Sequence, residues 1–464
     1  MNSEWRSALL PAPGLMPADG QLHMFLASRE APGLLPLCGT GDLEHFTSSD
    51  GLSFRRQGSA LRASEGAEWE RAGLGGVQVI AGHGYRMLYT GLGEIGGRLC
   101  SAIGCAESPD LSSWQRRGDI PTLAPTDKWY ERFAENAPGA RPVWGDPFVL
   151  HDRKSRSYRA YISARRPATA GGGDPATRAC IAGALSADTL SWDIGPPVYA
   201  PGCYDVMSAP LLLQRGDTNH LLFHVPESPS VVRICRAQSD SPEGPFEPSE
   251  PETFYCGRSV CVRPAAFGDD DMLLFVHAAR RERVSIAHDI QTWPALLRFD
   301  EKGSPQPVMH PAITRRQGDP IFEVDAQIES SGVTVRILPR RGEDLLFSAT
   351  VFPKSARRVG LLFRTSLTGR DNSTLWLDLQ KREASLHNGV AGEALVSAPC
   401  GKIGTDVVRL ALAAVGSFVA VYVNDVMVTS GSCGARPSGG VGVAVDSGEA
   451  DFSQITLRPL RVRD

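Results

Sequence analysis

The feature that most constrains the fold is a short apolar run that recurs five times in the first 300 residues. Each run follows a turn of Gly, Asp, Asn or Ser, which is typical of a β-strand that leaves a tight turn. No stretch sustains the 3.6-residue apolar period of an amphipathic helix for long. The runs are residues 22–26, 85–89, 158–162, 220–224 and 272–276. The sequence therefore predicts an all-β fold with five core strands.

A second element, a turn followed by an aromatic residue, repeats with these runs. A Ser or Asp side chain can close such a turn by hydrogen bonding to nearby backbone, and the aromatic ring can pack between adjacent sheets. The copies are residues 49–54, 108–114 and 186–192, with a looser one at 239–246. Short meanders that cannot bury their own faces are typical of radial repetition. We expect a five-bladed β-propeller over residues 1–300.

The pattern changes after the fifth run. Residues 301–320 are rich in Pro, Gly and basic side chains, which is typical of a linker. Spaced apolar strands follow, for example residues 359–364, 418–423 and 441–445. They predict a C-terminal β-sandwich over residues 321–464.

Composition limits the possible partners. The chain has 464 residues and a formal net charge of -4, and it shows no basic excess that would favour nucleic acid or an anionic membrane. We therefore expect a small-molecule substrate as the partner.

The N-terminus lacks a secretory signal pattern, and no run of 18 apolar residues occurs, so we predict a cytoplasmic protein. The ten cysteines form no CxxC pair, and we expect free thiols, no metal site and no cofactor. The oligomeric state is left open.

Several short motifs share their order with a known family. Residues 50–54 read Asp-Gly-Leu-Ser-Phe, 89–91 read Tyr-Thr-Gly, 254–256 read Phe-Tyr-Cys, and 421–425 read Val-Tyr-Val-Asn-Asp. In this order the motifs resemble glycoside hydrolase family 32, the invertases and fructanases, and its propeller relatives in family 43. The resemblance covers nearly the whole chain. It implies three carboxylates at the propeller axis: a nucleophile, an acid/base, and one that binds sugar hydroxyls.

Only the third of these carboxylates has a clear counterpart. Residues 144–149 read Trp-Gly-Asp-Pro-Phe-Val, similar to the family's Arg-Asp-Pro-Phe motif, with Gly145 in place of the arginine. The resemblance therefore implies that Asp146 binds sugar and stabilises the transition state. An Asp-Pro turn at the start of a strand is the alternative.

The other two family positions lack a carboxylate. Aligning the first core strand puts Pro11 where the nucleophilic aspartate would stand, and Asp19 nearby is explained by a hairpin turn. The acid/base glutamate falls on Ser208, whose hydroxyl is far too weak an acid for that role. Asp205, three residues earlier, is a candidate replacement. The usual retaining mechanism is therefore not expected.

Further residues are candidates for lining the axial pocket. Arg263 lies in an apolar strand and needs a partner there, whereas His277 at the end of its strand is as well explained as a structural histidine. The insert at 129–136, with Trp129 and Glu135, is either a lid for a ring-shaped ligand or a surface loop. The candidate catalytic residues are Asp146 and Asp205, and the candidate binding residues are Trp144, Tyr204, Ser208, Arg263, His277, Trp129 and Glu135.

Three functions remain compatible with the sequence. The first is an enzyme with a repurposed pocket, of cyclase, isomerase or dehydratase type, acting on a small hydroxylated metabolite in a biosynthetic pathway. The second is a divergent glycosidase that uses Asp146 with Asp205 or Glu135. The third is a non-catalytic sugar-binding propeller. Fold alone does not decide between them.

Overall fold

The computed structural model describes residues 10–27, 41–133, 143–152, 155–168, 174, 177–258, 260–267, 270–278, 290–366, 372–401, 406–433 and 438–461. These residues form almost entirely β-strands, and the protein is a five-bladed β-propeller with a C-terminal β-sandwich, as the sequence predicts. Of the described residues, those up to Phe254 and from 260 to Trp293 form one compact unit. Tyr255–Arg258 and the residues from Pro294 onward form a second unit.

Each blade is a meander of four antiparallel strands in chain order. The first blade consists of β1 (Gly14–Ala18), β2 (Gln21–Ala27), β3 (Leu43–Ser48) and β4 (Arg55–Leu61). The second consists of β5 (Gly73–Gly82), β6 (Gly84–Ile95), β7 (Arg98–Ser108) and β8 (Gln115–Arg116). The third consists of β9 (Trp144–Asp152), β10 (Ser157–Arg165), β11 (Ala179–Ser186) and β12 (Asp193–Tyr199). The fourth consists of β13 (Ser208–Arg215), β14 (Thr218–Ser228), β15 (Val231–Ser239) and β16 (Glu247–Arg258), and the fifth of β17 (Val260–Phe267), β18 (Asp270–Ala278), β19 (Ile290–Phe299) and β20 (Pro305–Met309).

The repeated turn motif forms the hairpins that the sequence predicts. Oδ1 of Asp50, Asp110 and Asp188 accepts hydrogen bonds from the backbone amides two and three residues later, at 2.8 to 3.1 Å. The aromatic residue that follows packs on the neighbouring blade in at least one copy. Trp114 meets Phe25 of the first blade edge-on, with ring centroids 5.3 Å apart. Each turn thus closes one hairpin and supplies an apolar surface between blades.

The blades close into a ring. The first strand of each blade contacts the first strand of the next, and β1 contacts β17, which joins the first blade to the fifth. Behind that contact, Leu22 and Met24 of β2 pack with Leu274 and Val276 of β18 in one buried cluster. The starts of β1, β5, β9, β13 and β17 therefore meet at one end of the propeller axis.

The second unit carries the sandwich. Residues 301–320, interpreted from sequence as a linker, contain β20 and helix α1 (Pro311–Arg315), and the predicted domain boundaries at 300 and 320 stay a prediction. No helix in the described part of the chain is long and apolar enough to cross a membrane. The sandwich strands are β21 (Phe322–Gly342), β22 (Leu345–Phe352), β23 (Arg358–Thr365), β24 (Ser373–Asp378), β25 (Glu383–Asn388), β26 (Ala394–Pro399), β27 (Val408–Val415), β28 (Phe418–Val423), β29 (Val426–Ser432) and β30 (Gly439–Pro459).

Candidate functional site at the propeller axis

Asp146 lies at the start of β9, where the strand is irregular. Gly145 pairs with Ser163 and Phe148 pairs with Tyr161, so the register shifts across Asp146 and Pro147. The backbone of Asp146 has a left-handed φ of 49°. Pro147 has no amide hydrogen to lose from the ladder, which favours a bulge at this point. The bulge turns the carboxylate of Asp146 toward the axis.

The carboxylate of Asp146 joins three blades through backbone amides. Oδ1 accepts from the amide of Ala12 at 3.0 Å, and Oδ2 accepts from the amide of Ala209 at 3.2 Å. The amide of Asp146 itself donates to Oγ1 of Thr90 at 2.9 Å. The side chain is 0% exposed. Both carboxylate oxygens are therefore already hydrogen bonded inside the protein.

Two glycines make room for this arrangement. A Cβ on Gly76 would lie 2.0 Å from Oδ1 of Asp146, and a Cβ on Gly145 would lie 2.6 Å from Cγ2 of Thr90. Thr90 also donates to the carbonyl of Gly76 at 3.1 Å. Gly145, which replaces the family's arginine, is thus explained by its contact with Thr90. Sequence reasoning missed Thr90 and Gly76 because their importance comes from contacts between blades.

Arg263 of β17 brings the fifth blade into the same centre, as its sequence environment suggests. Nη1 donates to the carbonyl of Pro210 at 2.5 Å, and Nη2 lies 3.5 Å from the carbonyl of Pro147. The side chain is buried, and its Nε has no hydrogen-bond partner among the described residues. With Ala12, Thr90, Asp146 and Ala209, this arginine completes a connection that includes all five blades. We call these five residues the axial clasp.

Burial sets the proton affinity of the Asp146 carboxyl in the axial clasp. It raises the pKa of Asp146 to about 6, while the Ala12 amide, the Arg263 charge and the Ala209 amide act in the opposite direction. The carboxyl therefore exchanges its proton near pH 6. A single carboxyl with this property can take part in acid–base chemistry, although in this structure it is enclosed.

The segments aligned with the other two family carboxylates lie beside Asp146, and at the aligned positions they carry Pro11 and Ser208. Ala12, which donates to Asp146, directly follows Pro11. Leu10, Ala12, Ala209 and Cys261 form a buried apolar cluster. Ser208 is also fully buried, and its Oγ has no hydrogen-bond partner among the described residues.

Two histidines lie on the strands next to Ser208 and Arg263. His224 pairs with Ser208 across β13 and β14, and its Nε2 accepts from the amide of Val262 at 3.1 Å. Burial and the charge of Arg263 lower the pKa of His224 to about 3, so its neutral ring is only a weak base. His277, a predicted binding residue, is buried at the end of β18 opposite Val260.

Asp205 is held in an ion-pair group between the third and fourth blades. Nη2 of Arg165 lies 2.5 Å from Oδ1 of Asp205 and also donates to the Asp205 carbonyl at 3.1 Å. Glu131 lies 3.9 Å from Arg165 and 3.4 Å from Arg178. All four side chains are at most 9% exposed. Sequence reasoning selected Asp205 but missed the ion pairs that Arg165, Glu131 and Arg178 form in this group.

The predicted aromatic residues pack between blades. Trp144 is 1% exposed, donates from Nε1 to the carbonyl of Leu123 at 3.1 Å, and has its ring 5.1 Å from that of Tyr130. The Tyr204 ring lies 6.1 Å from that of Phe223. These two aromatic side chains therefore contribute to blade packing.

The predicted lid is only partly described. Trp129 is half-buried, with Nζ of Lys128 4.6 Å from its ring. Glu135 lies outside the described residues, so its role stays a prediction.

Within the described ranges, no three His, Cys, Asp or Glu side chains gather as a metal site would require. The nine cysteines described there form no disulfide bond with one another, and all but Cys203 are buried.

Comparison with known proteins shows which solved structures have a similar fold. No model of a known protein family matches the sequence, and no curated protein does. Among solved structures, the chain is similar to a family 32 β-fructofuranosidase of Bombyx mori, with a TM-score of 0.69, 14% identity, and coverage of 98% of this chain and 91% of that one. It is equally similar to the exo-inulinase of Aspergillus awamori, with a TM-score of 0.69, 14% identity and 96% of both chains covered. The sucrose-6-phosphate hydrolase of Lactobacillus gasseri gives a TM-score of 0.69 at 13% identity, covering 98% and 91%.

These likenesses identify the fold. The chain has the propeller and sandwich architecture of the family 32 glycoside hydrolases over nearly its full length, so the predicted resemblance is confirmed at the level of fold. At such low identity, the activities of these enzymes do not transfer with the fold.

Proposed function

We propose that this protein binds a small hydroxylated ligand at the axial end of its propeller and does not hydrolyse glycosides by the two-carboxylate mechanism. The observation that argues most strongly against hydrolysis is the state of Asp146. It is the one carboxylate among the three aligned family positions, and both of its oxygens accept backbone hydrogen bonds.

The family mechanism needs two carboxyl groups facing each other across the scissile bond. A retaining enzyme holds them about 5–5.5 Å apart, and an inverting enzyme about 6.5–9.5 Å. Here Pro11 and Ser208 occupy the aligned nucleophile and acid/base positions. General acid catalysis alone typically contributes about 10²–10⁴-fold, so the loss of both groups argues against efficient hydrolysis.

The ligand class is proposed from the fold. Structures of similar proteins have been solved with sucrose and with fructosyl-erythritol bound. In this chain the first strands of the five blades contact one another around the axis, and the axial end of a propeller is a common place for small ligands. Hydroxylated rings such as free sugars and polyols are therefore the first compounds to test.

A second candidate function is non-hydrolytic catalysis of isomerase, cyclase or dehydratase type on such a metabolite. The observation that favours it is the pKa of Asp146, which burial raises to about 6. One carboxyl that changes protonation near neutral pH suits a proton-transfer reaction that needs no nucleophile. This function requires the enclosed carboxyl to become accessible to the ligand.

The divergent glycosidase reading depends on a second carboxylate. Asp205 is poorly suited to be the second catalytic carboxylate, because it forms an ion pair with Arg165 at 2.5 Å. Glu135 is then the remaining candidate for a second carboxylate beside Asp146. We rank this reading third because no described carboxylate other than Asp146 belongs to the axial clasp.

The test measures which compounds bind and then locates their binding site on the protein. Calorimetric titration of the purified protein with monosaccharides, polyols and short fructans identifies a ligand, and hydrogen exchange with and without it maps the site. We expect protection of the segments around residues 10–14 and 205–211 and none at the outer turn 186–192. Protection confined to outer turns contradicts an axial site, and conversion of the bound ligand favours the second candidate.

A further inference from the structure

The long first strand of the sandwich, β21, forms an edge of its sheet. It pairs with β30 along almost its whole length, from Phe322 opposite Leu457 to Gly342 opposite Gly439. The strand that follows it, β22, is occupied on both sides, by β27 and by β30. Within the described residues, β30 is the strand that pairs with β21, and no strand pairs with the side of β21 that faces away from it. An open edge of 21 residues is long for a protein to leave exposed.

Apolar side chains along this edge are incompletely covered. Val324, Val333 and Ile337 are 41%, 48% and 44% exposed. On the same strand Ala326 and Ile328 are buried. Three large aliphatic side chains half exposed along one edge favour a partner that covers them.

The charges on β21 are separated by sign. The first half carries Glu323, Asp325 and Glu329, and the second half carries Arg336, Arg340 and Arg341. Glu343, in the following turn, interrupts this order only beyond the end of the strand. A strand that is acidic in one half and basic in the other is complementary to itself when two copies run antiparallel.

A bulge brings the opposite charges onto one face. The register with β30 shifts between Ser330 and Val333. Before the shift, Ile328 is buried and Glu329 exposed, whereas after it Val335 is half-buried and Arg336 exposed. Glu329 and Arg336 therefore both project on the solvent side. In the described part of the chain neither forms an ion pair.

From these observations we propose that the protein forms a two-fold dimer in which β21 pairs antiparallel with β21 of a second copy. In this arrangement Glu329 faces Arg336 of the partner subunit, and the symmetry repeats the pair. The two sheets become one continuous sheet, and Val333 and Ile337 are covered near the axis. Charged edge strands usually prevent such pairing, but the separation of sign on β21 makes the antiparallel copy attractive.

The test is a charge swap followed by sedimentation equilibrium. We expect the unmodified protein to dimerise, Glu329→Arg and Arg336→Glu each to weaken the dimer at least tenfold, and the double variant to restore it. Arg409→Glu, at an exposed ion pair on β27, is the control and should leave dimerisation unchanged. Because all these positions are exposed, melting temperatures should stay close to that of the unmodified protein. A protein that stays monomeric up to about 100 µM overturns the proposal, as does a dimer that both single reversals leave intact.

Discussion

The backbone amide of Ala12 donates a 3.0 Å hydrogen bond to Oδ1 of Asp146, although 134 residues separate the two in the chain. In the aligned family pattern the segment around Ala12 carries the nucleophile. Here it approaches the same carboxylate but contributes an N–H donor and the apolar residues Leu10 and Ala12. The centre of the propeller therefore holds one enclosed carboxyl, and the sequence has Pro11 and Ser208 where the family resemblance implies two further carboxylates.

Removing the carboxyl of Asp146 should destabilise the propeller. Asp146→Ala leaves the amides of Ala12 and Ala209 without acceptors and Arg263 without a nearby negative charge, and we expect a loss of about 3–5 kcal/mol in the free energy of unfolding. Asp146→Asn keeps one acceptor oxygen and should lose less. Chemical denaturation measures both, with Asp193→Ala at an exposed position as the control. Equal stability of Asp146→Ala and the control would show that the axial clasp contributes little.

The raised pKa of Asp146 should appear in the pH dependence of stability. In the unfolded chain the group titrates near 3.8, and in the folded protein near 6. The folded state therefore binds the extra proton, so this contribution is fully present below pH 3.8 and is lost as the pH rises through about 6. The change amounts to up to about 3 kcal/mol, since one pKa unit corresponds to about 1.4 kcal/mol. Unfolding free energies of the unmodified protein and Asp146→Asn between pH 4 and 7 test this, and parallel curves would contradict it.

Gly76 should tolerate no side chain. A Cβ there would lie 2.0 Å from Oδ1 of Asp146, a carboxylate fixed by two hydrogen bonds. We expect Gly76→Ala to cost about 3 kcal/mol or more, at the upper end of overpacking effects. Gly82→Ala on the same strand is a matched control, because a Cβ there meets nothing within 4 Å. Similar melting temperatures for the two variants would refute the close approach.

Arg165 should be essential to the buried ion-pair group. Arg165→Met removes the ion pair with Asp205, whose side chain is 9% exposed, so we expect a loss of about 3–5 kcal/mol. Arg409→Met removes an exposed ion pair and should cost less than about 1 kcal/mol. Denaturant titration compares them. A small effect at Arg165 would mean that solvent reaches the group and that Asp205 is free to serve the pocket.

The repeating architecture was predictable from sequence because its signals are local. The turn at Asp50 and its relatives depends on a side chain that bonds amides two and three residues away, and this recurs in the chain as a visible motif. The sequence also marks Asp146 and Arg263 as candidate site residues, the first by resemblance and the second because a charged residue in an apolar strand needs a partner, and their part in ligand binding stays a prediction.

The partners of those residues could not be predicted, since they come from other blades. Nothing local marks Thr90 or Gly76 as contacts of Asp146, and an amide donor such as that of Ala12 has no side-chain signal at all. The direction in which a side chain points could not be predicted from the sequence either. Trp144 and Tyr204 occupy the expected segments but pack between blades.

The proposed absence of two-carboxylate hydrolysis is tested most directly by measuring the release of fructose from sucrose, inulin and levan by the purified protein at neutral pH. With Pro11 and Ser208 at the aligned positions and Asp146 bound by two amides, we predict release no faster than in a protein-free control. Saturable turnover at about 1 s⁻¹ or more, abolished by Asp146→Asn in a folded variant, would contradict this prediction, because it would show that the axial carboxyl takes part in hydrolysis.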